Sequence, residues 1–158
     1  VLPACLFLGC CGGESGGTVN EICAVGKADK KDIGRAFIAI KKKLGITKLC
    51  AIQTSDFVVR FCTNLQLPQQ IIKAVGEVNE KTKELGVASG KVPITVVATA
   101  IFLITHLSND HKRPIEDVAE KTGVSESTIR SCFRDDMQPR QSDLVPKWFW
   151  NQQTSQPK

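Results

Sequence analysis

The stretch DVAEKTGVSESTIRSCF, residues 117–133, decides the fold because the chain contains a second version of it. EICAVGKADKKDIGRAF, residues 21–37, aligns with it without a gap. Apolar residues recur at matched positions, pairing Ile22 with Val118, Ile33 with Ile129 and Phe37 with Phe133. Upstream, ACLFLGC (4–10) matches TAIFLIT (99–105), with a one-residue shift in the loop between the blocks, where insertions are tolerated. The pattern predicts an internal repeat, one unit complete and the other partial.

The complete unit is predicted to contain five helices. They are predicted from apolar periodicity, from Pro68 and Pro114 at helix starts, and from glycines at helix ends. The predicted helices span residues 55–65, 68–86, 92–108, 114–122 and 125–137. The partial unit supplies the equivalents of the last three, at roughly 1–11, 18–26 and 29–44. We therefore expect an all-α protein with four segments. These are part of a first repeat (1–46), a linker (47–54), a second repeat (55–141) and a C-terminal tail (142–158).

The third helix of the complete unit, VPITVVATAIFLITHLS (92–108), is apolar on nearly every side, which is typical of a central buried helix. Its equivalent in the partial unit, VLPACLFLGCC (1–11), lacks the two helices that wrap the central helix of the complete unit. We expect an exposed apolar patch on that first helix unless upstream sequence or a partner covers it. A first residue that is not Met leads us to expect a fragment or a processed product.

Composition argues against several classes of function. Both strongly apolar runs are too short to span a bilayer, so no membrane association is expected. The seven cysteines show no CxxC spacing, which argues against a metal site and suits a reducing compartment. No glycine-rich phosphate loop or paired acid–base motif is present in the sequence, and neither His106 nor His111 has an identifiable catalytic partner. We therefore expect no enzyme, no small-molecule substrate and no cofactor.

Positive charge is concentrated in one segment. Residues 27–48 contain eight lysines and arginines against two aspartates, whereas the whole chain carries +5. Such a stripe indicates an acidic partner or nucleic acid. The alternative is a solvated helix face, which applies above all to Lys41, Lys42 and Lys43.

The helices 114–122 and 125–137, joined through TGVS with Gly123 at the turn, form a predicted helix-turn-helix. In such motifs the second helix enters the DNA major groove. Small hydroxyl residues permit close approach to DNA, and arginine matches the two acceptors of guanine. The candidate DNA-contacting residues are Ser127, Thr128, Arg130, Ser131 and Arg134. The alternative is that the helix is only the last member of a five-helix bundle.

Six blocks of this sequence resemble the core of the eukaryotic general transcription factor IIB family. They are TVNEICAV (18–25), KKDIGRAF (30–37), DFVVRFCTNLQLP (56–68), VPITVVATAIFL (92–103), TGVSESTIRSCF (122–133) and DLVPKW (143–148). Their order and spacing fit from about residue 3 to residue 150, and the tail looks most like the plant members. The resemblance implies two cyclin-like repeats of five helices each, the first only partly contained here. The family's zinc ribbon, which is its only expected metal site, and its polymerase-reaching segment are not in this sequence.

The resemblance also implies a nuclear protein that binds the TATA-binding protein on promoter DNA, contacts the flanking DNA and helps to recruit RNA polymerase II. It makes Arg130 the leading base contact, with Ser127 and Thr128 beside it. Lys91 matches a basic loop position near DNA, although a solvated loop lysine is the alternative. Lys30, Lys31 and Arg35 match a helix that in the family faces partner proteins and nearby DNA.

Three departures from the family pattern lead us to expect a diverged relative or a partial gene product with weakened assembly. The zinc ribbon, the polymerase-reaching segment and the front half of the first repeat are not in this sequence. Cys11 stands where the family usually has an arginine, and Asp135 and Asp136 bring acidic groups beside the reading helix. Many relatives carry an apolar residue where Ser127 stands, which bears on the sequence preference of the reading helix. The alternative function is a cyclin-type protein-interaction module without DNA binding.

Overall fold

The computed structural model describes residues 2–12, 18–45 and 54–154, and these ranges are helical without a β-strand. The chain divides into two compact units, residues 1–56 and 57–158. The all-α prediction is confirmed. The loop 13–17, the side chain of Cys11 and all of the predicted linker except Thr54 lie outside the described residues.

The first unit contains three helices: α1 (Leu2–Gly12), α2 (Val19–Gly26) and α3 (Lys30–Lys43). α1 packs against both of the others. α2 begins with a capping box that the periodicity analysis missed, although TxxE is its sequence signature. The Glu21 amide donates to Thr18 Oγ1 at 3.2 Å, and the Thr18 amide donates to Glu21 Oε2 at 2.7 Å.

The second unit begins with α4 (Thr54–Asn64), α5 (Gln69–Glu84), α6 (Pro93–Leu107), α7 (Ile115–Thr122) and α8 (Glu126–Cys132). The predicted helices match these bounds within one or two residues except for the last. α6 is the central helix, packed against α5, α7 and α8. Val97, Ile101, Leu103 and Ile104 on α6 are fully buried, as the apolar pattern predicted.

The predicted fifth helix, 125–137, is wrong in its second half. α8 ends at Cys132, and residues Phe133–Met137 form a π-helical turn in which the Gln138 amide donates to the Phe133 carbonyl. A short 3₁₀ turn, Gln138–Arg140, follows. Over only five residues, apolar periodicity does not distinguish a π-helical turn from an α-helical one, so the sequence did not predict the π-helical turn.

The C-terminal segment packs onto the second unit as α9 (Gln141–Leu144) and α10 (Lys147–Thr154). Leu144, Val145 and Phe149 are buried. The Trp148 indole donates to both carboxylate oxygens of Glu77 on α5, at 3.2 and 3.0 Å. Because both tryptophans of the chain lie on α10, their fluorescence reports on the folding of the second unit.

The repeat is visible in the packing of both units. The rings of Phe7 and Phe37 lie 5.0 Å apart in the first unit, and those of the aligned Phe102 and Phe133 lie 5.2 Å apart in the second. The aligned central helices α1 and α6 differ in how far the side chains on one face are buried. Leu6 is 52% exposed, whereas its counterpart Ile101 is fully buried. With Leu2 also exposed, the predicted apolar patch on α1 is confirmed.

The aligned turns also share a backbone conformation, which leads to a paired prediction. Gly123 ends α7 at φ +70°, and Lys27 ends α2 at φ +44°. Because a Cβ disfavours this region by ~1–2 kcal/mol, Gly123→Ala should lower the free energy of unfolding by about that amount. Urea unfolding followed by tryptophan fluorescence measures it. Lys27→Gly is the control at the aligned position, where glycine removes the Cβ from the same backbone conformation. It should not destabilise α2, and hydrogen exchange of the α2 amides measures this. A loss there equal to that of Gly123→Ala would contradict this account.

Candidate nucleic-acid interface

The buried side of α8 fixes the orientation of the helix. Ile129 and Cys132 point into the core, and Val118 of α7 is buried beside them. At the start of α8 the Ser125 carbonyl accepts from the amides of Thr128 and Ile129, at 3.0 and 3.1 Å. The helix-turn-helix predicted from the sequence is therefore formed, and the opposite side of α8 is open to solvent.

Small hydroxyl groups cluster at the exposed N-terminal end of α8. The Ser125 hydroxyl lies 2.7 Å from Thr128 Oγ1 and 3.3 Å from Ser127 Oγ, and all three residues are exposed. Ser125 occupies the N-cap position as expected, but its hydroxyl makes no capping bond to a helix amide. These hydroxyls can donate to or accept from a DNA base edge or a phosphate.

Arg130 is exposed one turn further along α8 and lines two different surfaces. On one side is a cleft of ≈ 360 Å³, which we call the basic cleft; it is lined by Phe102, His106, Lys112, Arg113, Pro114, Ile115 and Arg130. On the other side is an open groove between α7 and α8, which we call the acidic groove because Glu116, Glu120 and Glu126 line it. The guanidinium group of Arg130 is therefore placed at a boundary between positive and negative surface.

The other two candidates on this element are engaged by one carboxylate. The Arg134 Nε donates to Asp135 Oδ1 at 3.1 Å, and the Ser131 hydroxyl donates to Asp135 Oδ2 at 2.9 Å. These two hydrogen bonds, with a smaller contribution from the charge of Lys91, hold the pKa of Asp135 below its usual value. The Arg134 guanidinium group is therefore partly engaged within the chain, by Asp135.

The two aspartates beside the reading helix have different environments. Asp135 is exposed and paired with Arg134, whereas Asp136 is partly buried with its Oδ2 enclosed. The neighbouring Cys132 thiol has a raised pKa, chiefly because of its burial. That these carboxylates oppose an approaching phosphate stays a prediction, although Asp135 is paired with Arg134 and Asp136 is only partly exposed.

Lys91 is exposed on the turn between α5 and α6. Its amide donates to the Ala88 carbonyl at 3.0 Å, and the buried residues Val87 and Ala88 anchor that turn. The positive charge of Lys91 makes a small contribution to the lowered pKa of Asp135, and it offsets a small part of the rise that burial causes in the pKa of Cys132. The structure thus brings Lys91 near the end of the candidate interface that carries Arg134.

Asp135→Asn should strengthen DNA binding if Arg134 can turn toward phosphate. The variant removes a competing anion that forms an exposed ion pair, and such pairs are weak because solvent screens them. We expect DNA affinity to rise by up to about fivefold and the salt dependence to become steeper. Titration by fluorescence anisotropy measures both. In an Arg134→Ala background the same substitution should have a smaller effect, and an equal gain would show that Arg134 does not carry it.

Lys30, Lys31 and Arg35 all lie exposed on α3 of the first unit. Arg35 Nη1 is 3.7 Å from Asp32 Oδ1, a contact between two side chains that are 80% and 70% exposed. Such a pair restrains the guanidinium weakly. These three residues form a basic patch on α3 within the first unit.

Sequence reasoning missed Lys112 and Arg113, which precede Pro114 at the start of α7. The Lys-Arg pair in the loop SNDHKRP was the available signal, but its meaning depends on the fold that places it beside Arg130. The structure also packs His106 against two aromatic rings, with ring centroids 5.6 Å from Phe102 and 6.0 Å from Phe133. His111 has a local role, because its amide donates to Ser108 Oγ at 3.2 Å.

The described residues contain no cluster of three or more His, Cys, Asp or Glu side chains that could hold a metal ion. In the same part of the chain, every helix is too short or too polar to cross a bilayer.

The architecture and the exposed α8 define the class as a helical-repeat protein whose complete repeat ends in a helix-turn-helix. A family model described as "Transcription factor TFIIB repeat" matches residues 47–138. The chain belongs to this family.

Relatives from plants and animals are similar over nearly the whole chain. Transcription initiation factor IIB of Glycine max and transcription initiation factor IIB-2 of Arabidopsis thaliana are each 39% identical over 155 residues, which is 94% of this chain and 48% of each relative. Transcription initiation factor IIB of Homo sapiens is 39% identical over 149 residues, covering 94% of this chain and 46% of the relative. The chain therefore spans about half the length of the curated relatives it matches.

Proposed function

We propose that this chain acts in the nucleus as a transcription-factor-IIB-type adaptor. It binds the TATA-binding protein seated on promoter DNA, contacts the DNA flanking the TATA box and supports assembly of RNA polymerase II at the promoter. The single observation that carries the proposal is the solvent-facing helix-turn-helix in a chain that belongs to the transcription factor IIB repeat family. The relatives named transcription initiation factor IIB support the same role.

In this proposal α8 is the reading helix. Arg130 presents a planar fork of N–H donors that suits guanine O6 and N7, a contact that discriminates against other bases by ~1–3 kcal/mol. Ser127 and Thr128 contact base edges or phosphates from the first turn of α8. Lys91, Ser131 and Arg134 contribute near the far end, where positive charge and hydroxyl groups attract phosphate.

The exposed basic patch on α3, made of Lys30, Lys31 and Arg35, is the proposed protein-partner surface. Its partner carries acidic groups, since positive patches steer and orient complementary negative surfaces. The adaptor role involves no catalysis and needs no metal or small-molecule cofactor bound to this chain.

A gel-shift assay tests the proposal directly. The chain is titrated onto a TATA-containing promoter fragment with and without the TATA-binding protein, after circular dichroism has shown that it is folded. The proposal predicts a slower-migrating complex that requires both the TATA-binding protein and the chain. A folded chain that forms no such complex would contradict the proposal and favour a cyclin-type protein-interaction module without DNA binding.

Lys30→Glu combined with Lys31→Glu should impair the ternary complex, because reversal of two charges converts attraction to an acidic partner into repulsion. We expect at least a tenfold loss of affinity for the complex between the TATA-binding protein and promoter DNA. Lys42→Glu with Lys43→Glu is the matched control, since it makes the same charge change at exposed positions on the same helix. Equal losses from both pairs would show that overall charge, rather than this patch, determines assembly.

A further inference from the structure

The surface around Arg130 is electrically divided. The basic cleft brings Lys112 and Arg113 beside Arg130, with His106 on the same wall and no carboxylate among its lining residues. On the opposite side, the acidic groove is lined by three glutamates, of which Glu120 forms an exposed ion pair with Lys121 at 3.2 Å. An anion beside Arg130 is therefore attracted to one side and repelled from the other.

The basic cleft is suited to a tetrahedral oxyanion such as phosphate. Arg113 is partly buried, and its Nη2 donates to the Leu65 carbonyl at 3.2 Å, which fixes one edge of the guanidinium group. Lys112 is exposed on the adjacent rim and supplies a mobile positive charge. Arginine and lysine recognise phosphate in these two complementary ways.

The rest of the cleft lining comes from Phe102 and His106 of α6, whose ring centroids lie 5.6 Å apart, and from Pro114 and Ile115 at the start of α7. The positive dipole end at a helix N-terminus attracts anions. In α7 this attraction is opposed by Glu116 and Asp117, which lie in the first turn. The two basic side chains therefore provide the attraction.

We propose that the basic cleft binds a backbone phosphate of the DNA strand that α8 reads, with Lys112 and Arg113 as the contacting residues. The DNA backbone then passes on the side of the loop between α6 and α7, and the acidic groove excludes it from the other side. This inference rests on the proposed function. It also specifies how the protein is oriented on the duplex, because a phosphate contact beside Arg130 fixes the position of α8 relative to the bases.

Fluorescence anisotropy on the full chain tests the inference, with a labelled promoter duplex, the TATA-binding protein present and a series of salt concentrations. Lys112→Gln should weaken binding about three- to tenfold on both the promoter and a duplex with scrambled flanking sequence. The slope of log K against log salt should become shallower by about 0.9, the value for one lost phosphate contact. Lys147→Gln, which removes an equally exposed lysine on α10, should change neither quantity.

Glu120→Gln removes a negative charge from the acidic groove on the other side of Arg130. This variant should change the affinity for the promoter duplex less than twofold. If Glu120→Gln strengthens binding by more than Lys112→Gln weakens it, the backbone crosses the acidic groove and the inference is wrong. The inference is also wrong if the wild-type chain binds with salt sensitivity but Lys112→Gln leaves the affinity and slope unchanged. In contrast, a folded wild-type chain that does not bind the duplex at all would overturn the proposed function together with this inference.

Discussion

Ile101→Ala is expected to lower the free energy of unfolding of the second unit by ~2–5 kcal/mol. Ile101 is fully buried on the central helix α6, which packs against α5, α7 and α8. The truncation removes apolar contacts and leaves a cavity that a close-packed core refills only in part. Urea unfolding followed by the fluorescence of Trp148 and Trp150 measures the loss, with the denaturant slope expected to stay constant.

Leu6→Ala is the matched control, because Leu6 occupies the aligned position on α1 and is 52% exposed. The same kind of truncation there should reduce the stability of the first unit by about 1 kcal/mol or less. Hydrogen exchange of the amides in α1 and α3 provides the readout for that unit. Similar losses at the two positions would show that α1 is as enclosed as α6, contrary to the exposed apolar patch seen in the structure.

Arg130→Ala should weaken promoter binding by ~1–3 kcal/mol and flatten the preference at one base pair. The side chain is exposed on α8, its helix is anchored by the buried Ile129, and its position at the edge of the basic cleft leaves the guanidinium group open to DNA. Competition binding with promoter duplexes that differ at single flanking base pairs measures both effects. Folding should be unaffected, because the change is on the surface.

Arg140→Ala serves as the control, since Arg140 is an exposed arginine in the 3₁₀ turn outside α8. It should leave base preference unchanged. A different outcome for Arg130→Ala would also be informative. If it weakens specific and scrambled duplexes equally, Arg130 contacts phosphate only, and the assignment of α8 as a base-reading helix would be wrong.

Helix positions could be predicted because burial periodicity and breaker residues act locally. Pro68, Pro114 and Gly123 lie at helix boundaries for backbone reasons that hold in any fold. The repeat added long-range information, since aligned phenylalanines form the same ring pair in both units. The π-helical turn after Cys132 packs against α6, and its five residues carried no comparable local signal.

The candidate site could be predicted only in part, because the availability of a charged side chain for DNA depends on which other side chains it contacts. The exposure of Ser127, Thr128 and Arg130 follows from the helical phase set by Ile129, so their placement on the open side of α8 could be inferred. The engagement of Arg134 by Asp135 requires side-chain geometry. The basic cleft requires the α6–α7 loop to fold beside α8, which is a tertiary feature.

The most direct test of the adaptor function is hydroxyl-radical footprinting of promoter DNA bound by the TATA-binding protein, with and without this chain. The account predicts that the chain extends protection from the TATA box into the flanking DNA, and that Arg130→Ala reduces the added protection. A footprint identical to that of the TATA-binding protein alone, obtained with a folded chain at saturating concentration, would contradict the account.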